Sequence, residues 1–131
     1  MGAVTLTTGF GSTFAAYDEA TGRAYFGQRM ETFQIFGEDT RIVEVLMNAG
    51  DAAPTQGATL VLGGTEDLLA GHIYNSKLYV VEDGNPFKIL TINLPAFASV
   101  SNTYPVPDNL GIGGKIGSAL DHAAGIMYVV G

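Results

Sequence analysis

The sequence predicts an all-β protein built from antiparallel sheets, and three observations predict it. Short apolar runs sit between Gly, Pro, Asn and Asp punctuation along the chain. Helical periodicity is nearly absent. A strand–turn–strand segment recurs in the text. With 131 residues the chain is one domain in length. Apolar residues make up 47% and charged residues only 15%, the balance of a folding chain and not of a disordered one. Eighteen glycines spread through it supply many turns.

Taken in order, "AVTLTT" near the N-terminus reads as an isolated strand over residues 1–8. "STFAAY" and "RAYFG" follow, joined by the turn "DEATG". Asp18 bonds the backbone two residues on, and Gly22 supplies the positive φ that closes the turn. "FQIF" (Phe33 to Phe36) and "RIVEVL" then read as two more strands. The second of these is β-branched and alternating, although "DTRIVEVLMNAG" has some helical propensity. "LLAGHIY", "KLYVVE", "FKIL" and "FASVSNTY" repeat the same succession. "GTEDLLAGH" is too short to stand as a helix. "KIGSAL" and "IMYVV" give a last pair of strands around "DHAAG".

The recurrence is specific. "YDEATGRAYFG" and "LDHAAGIMYVVG" share Asp-x3-Gly-x2-Tyr at Asp18, Gly22, Tyr25 and at Asp121, Gly125, Tyr128. "HIYNSKLYVVE" shortens the turn and keeps Tyr79 in register. Phe-x-Ile recurs at one offset after Tyr25 and Tyr79. The unit is therefore four strands in about 50 residues, the period of a propeller blade. This hairpin and its apolar second strand resemble the YVTN/NHL-like class of β-propeller repeats. The resemblance covers about two and a half blades and implies radial four-stranded sheets, with ligands met on one face or in a central channel. The absence of Trp sets the chain apart from WD40, kelch and quinoprotein blades. The expected division is a closing outer strand over residues 1–8, blades over 12–48 and 68–106, and a half blade over 114–131.

Composition excludes several functions. A net charge of −7 with six Lys and Arg does not suit nucleic acid or an anionic membrane surface. Zero cysteines exclude disulfides and thiolate metal sites. No apolar run reaches the length of a membrane-crossing helix, and "MGAVTLTTGFG" has no basic signal-peptide region. A soluble, acidic protein of open compartment is expected. "NLGIGGKIGS" fails as a phosphate loop because Ile116 stands where Ser or Thr is needed, and it reads as a glycine-rich approach to an inner strand. The acidic pairs Glu38-Asp39, Glu66-Asp67 and Glu82-Asp83 lack the alternation of a calcium loop and read as solvated turns. His72 and His122 fall short of the three ligands that zinc needs. Neither a cofactor nor a metal is expected. No Gly-x-Ser-x-Gly occurs, so no catalytic residue is named and the chain is read as a non-enzyme. His72, Tyr74, Asp18 and His122 are the candidates for touching a ligand.

Two and a half blades do not close a ring. The resemblance implies closure by a blade shared between the two ends of a chain. The expected function is thus a structural or binding module that completes its ring by strand complementation, with copies of itself (dimer or trimer) or with a complementary propeller fragment. Val4 and Leu6 on one side, and Tyr128, Val129 and Val130 on the other, are the expected assembly residues. A small-ligand or glycan-binding propeller, and a piece of a propeller enzyme, are the alternatives.

Overall fold

The computed structural model describes residues 3–6, 10–29, 40–50, 52–63, 67–83, 86–106 and 117–130. They contain ten strands and no helix. β1 (Phe10–Asp18), β2 (Arg23–Arg29), β3 (Arg41–Leu46) and β4 (Thr55–Val61) form a first antiparallel sheet in that order. β5 (Leu68–Tyr74), β6 (Lys77–Glu82), β7 (Lys88–Asn93) and β8 (Val100–Pro105) form a second. β9 (Gly117–Asp121) and β10 (Ile126–Val130) make a two-stranded hairpin. The three units meet along their first strands, β1 against β5 and β5 against β9.

Local chemistry sets each hairpin. Asp18 accepts the Ala20 amide at 3.1 Å and the Thr21 hydroxyl at 2.6 Å, and its carbonyl accepts the Gly22 amide at 2.9 Å. Asp121 does the same with Ala123, Ala124 and Gly125. Gly22 and Gly125 share φ +67°, where a side chain is strained. The β5–β6 turn has only Asn75 and Ser76, at φ 49° and 58°. Two successive positive φ values make the tight turn that matches strand twist, and Asn tolerates it best.

These turns place corresponding residues alike. Asp18 pairs with Arg23, Tyr74 with Lys77 and Asp121 with Ile126, so these are equivalent hairpin ends. Counting along the strands makes Tyr25, Tyr79 and Tyr128 equivalent. It also matches Ala15 with Gly71 and Ser118, and Ala16 with His72 and Ala119.

The core lies between the two four-stranded sheets. Phe14, Tyr25, Ile42 and Leu60 of the first meet Leu78, Val80, Leu90, Ile92 and Phe97 of the second. Strand alternation puts Val43 and Val45 on the opposite face of the first sheet, where they are buried as well. The ring of Phe14 sits between two glycines: a Cβ on its cross-strand neighbour Gly27, or on Gly71 of the facing β5, would overlap it. Tyr25 packs on Phe97 with ring centroids 5.0 Å apart. Phe97 holds φ +37°, an uncommon conformation for a bulky residue, and donates its amide to the Asn93 carbonyl at 2.8 Å.

Glu44 is buried on β3, and the first sheet is shaped around it. Arg23 Nη1 donates to its Oε2 at 2.8 Å, and the Ala58 amide to its Oε1 at 3.3 Å. Opposite Glu44 the register slips, because Gly57 and Ala58 together face one residue of β3. A Cβ at Gly57 would strike the Glu44 carboxylate, so the bulge and the glycine make its room. Burial, then the Glu44 charge, push the Tyr25 phenol up to about 12.

The first sheet corrects the expected strand bounds. It runs from Phe10 to Val61 and not over 12–48. "RIVEVL" is its third strand, and "TQGATLV" is the fourth. Tyr25 pairs with Glu44 and Tyr79 with Thr91, so more chain separates the second and third strands in the first sheet. "FQIF" lies outside the described residues. Ala3–Leu6 carries no strand, and Thr7 and Thr8 lie outside the described residues.

Gly71→Ala should cost about 1–3 kcal/mol, as overpacking does. Urea unfolding checks it. Phe14→Leu in the same chain should recover part of the loss, since the two sites share one contact.

Candidate functional site

Polar chemistry gathers where the β9–β10 hairpin meets the second sheet. β5 delivers His72 and Tyr74 to this seam, because alternate residues of a strand share a face. His72 Nε2 and Ser118 Oγ are 2.8 Å apart. The Tyr74 and His122 rings lie 6.2 Å apart at 58°. The Tyr74 hydroxyl lies against Gly125, where an added Cβ would sit 2.8 Å away. Gly125 is thus demanded twice, by its φ and by this approach.

Three of the four sequence-predicted ligand candidates, His72, Tyr74 and His122, come together here. Asp18 does not, because it serves its own turn on the first sheet. Ser118 was not singled out by sequence, since it follows a glycine-rich stretch with no motif around it. A serine–histidine pair acts when a third group orients the imidazole, and among the described residues no carboxylate bonds to His72. Nor do three His, Asp or Glu side chains gather as for a metal among the described residues. Burial, then the nearby His122, hold the His72 pKa below its ordinary value, while a hydrogen bond to the Ser118 backbone opposes them.

The expected assembly residues fall into two places. Val4 and Leu6 are half-buried and outside any strand. Tyr128, Val129 and Val130 lie on β10. Ser118 faces the second sheet, so Val129, its register partner, faces it too. Tyr128 (54% exposed) and Val130 (64%) point the other way, joined by Ile126 (47%). The equivalent Tyr25 is 0% exposed. The sequence reading passed over Ile126, although its alternation with Tyr128 and Val130 carries the signal.

Among the described residues the edge of β10 is open as well as its face. In the first sheet the Met47 amide donates to the Gly22 carbonyl, and in the second Leu94 donates to Ser76. Counting in twos points the Phe26 and Val80 amides at the third strand of each sheet. Val129 holds the same place on β10, where no described strand pairs with it.

Protonating His72 at this seam should weaken folding. Its folded pKa is depressed, so the unfolded chain binds more protons in the window below pH 6.5. This contribution is complete above that pH, falls as pH drops through it, and levels off below the folded value. Urea unfolding from pH 8 to 5 should show the decline, and His72→Gln should flatten that part of it.

No protein-family model, curated protein or solved structure matches the chain.

Proposed function

We propose that the chain is a structural and binding scaffold of propeller type, whose third sheet is completed by a strand from another polypeptide. The single observation that carries this reading is the edge of β10, which no other strand pairs with among the described residues. At the same place in the repeat, β2 and β6 are paired on both sides. Two further features support it. Each four-stranded sheet is a simple meander of neighbouring strands, as a blade is. The units also stack through their first strands, as blades meet near an axis. The β9–β10 hairpin then stands as the first half of a third blade.

An added strand bonds to the outward amides and carbonyls of Met127 and Val129. Charge does not guard this edge, because β10 carries no Lys, Arg, Asp or Glu. The His72–Ser118 seam supports a ligand-binding function less well, since the two side chains already satisfy each other.

Val129→Pro tests the reading. Proline is tolerated on a strand edge whose amide faces outward, so the single chain keeps its fold while the incoming strand loses a bond. Size-exclusion chromatography with light scattering should give a wild-type mass at a multiple of 13.7 kDa. The variant should dissociate at least about fivefold more readily, the equivalent of a hydrogen bond of about 1 kcal/mol. A wild-type monomer at high concentration would refute self-assembly.

A further inference from the structure

We infer that the exposed face of the β9–β10 hairpin seats the outer face of β1 and β2 from a second copy of this chain, head to tail. This rests on the assembly reading above and names the partner and its surface.

The argument is the seam that the chain already repeats within itself. At each seam a forward face carries the repeated tyrosine, and the facing first strand offers a small residue. Between the first and second sheets Tyr25 is fully buried, and the small residue is Gly71, which receives Phe14. Between the second sheet and the hairpin Tyr79 is half-buried, and the small residue is Ser118, which receives His72. On the hairpin the next forward face presents Tyr128, Ile126 and Val130, all exposed.

Part of the complementary half of that seam is exposed along β1, at the opposite end of the stack, while Ala24, Val43 and Val45 further across the same face are buried. Ala15 of β1 holds the place of Gly71 and Ser118 and is exposed. Beside it Tyr17, at 55% exposure, holds the place of Ile73 and Leu120. Phe26 of β2, half-buried, holds the place of Val80 and Val129. One chain thus carries an exposed forward face on the hairpin and an exposed strip of receiving face along β1, the two sides of the same kind of seam. Two unlike faces of one chain that fit each other make a heterologous interface, which closes into a ring when the rotation allows.

The register of the seam between the second sheet and the hairpin names the pair to test. His72 meets Ser118 across the existing seam. Their equivalents are Ala119 on the forward face and Ala15 on the receiving face of the next copy. Within one chain the second sheet lies between β1 and β9, so these two alanines do not meet.

The chain has no cysteine, so the test is clean. An A15C/A119C chain is treated with an oxidant and, separately, with a short bis-maleimide crosslinker that relaxes the geometry a disulfide requires. Covalent dimers and larger species should form from the double variant, dimers alone from a mixture of the two single variants, and neither from a single variant by itself. Ala15 and Ala119 are both exposed, so the substitutions leave the core unchanged. As an independent check, Tyr128→Lys and Tyr17→Asp should each lower the assembled mass, and the chain carrying both should regain part of it. Dimers from A119C alone would show the hairpin face meeting its own copy and would overturn the head-to-tail contact. Assembly by light scattering without any crosslink would overturn this interface and leave strand complementation standing. A wild-type monomer would overturn both.

Discussion

The Phe14 ring in its slot between two glycines holds the rest of the molecule in register. An aromatic residue on an innermost strand can approach the next sheet only where that sheet offers no side chain. Gly71 provides the gap on β5, and Gly27 provides the one behind the ring on β2. This close approach lets Tyr25 reach Phe97 and brings the two apolar faces into one cluster. The strained backbone at Phe97 belongs to the same arrangement. A left-handed conformation at a bulky residue persists where packing over-determines it, and here the Tyr25 ring does so.

Glu44 plays the opposite part, a charge placed where a hydrocarbon would pack. A buried carboxylate is tolerated when it is paired and hydrogen-bonded, and Arg23 and the Ala58 amide supply both. The room for it comes from bulging β4, so the shape of the outer strand follows from one residue on its neighbour. At the next seam Thr91 holds the equivalent place, and its buried hydroxyl has no partner among the described residues.

The hairpins were legible in the sequence because their chemistry is local. Asp-x3-Gly at Asp18 and Asp121, and Asn75-Ser76 in the short turn, announce a bonded loop and positive φ within five residues. β4 was not legible. "TQGATLV" lacks an alternating apolar pattern, since its glycine answers to the buried carboxylate on β3 and not to a face of its own. The matching Phe-x-Ile segments misdirected the assignment of the third and fourth strands of the first sheet for a related reason: a repeated short pattern carries no information about which strand it pairs with. At the candidate site the repeated tyrosines were visible as a period. Their difference in exposure was not, because burial depends on which sheet stands in front of each. The His72–Ser118 contact joins residues far apart in sequence, and no motif marks it.

Among the described strands every pairing joins neighbours in sequence, and this has a kinetic consequence. Each sheet closes only short loops, so its contacts form without waiting for distant parts of the chain. The long-range search is confined to docking one finished sheet on the next through β1, β5 and β9. A protein wired this way behaves as a short row of units, whose free energy is a sum of unit terms and nearest-neighbour seam terms. Lengthening a connection between sheets then shifts the docking rate by loop entropy alone, a penalty that grows only with the logarithm of the added length.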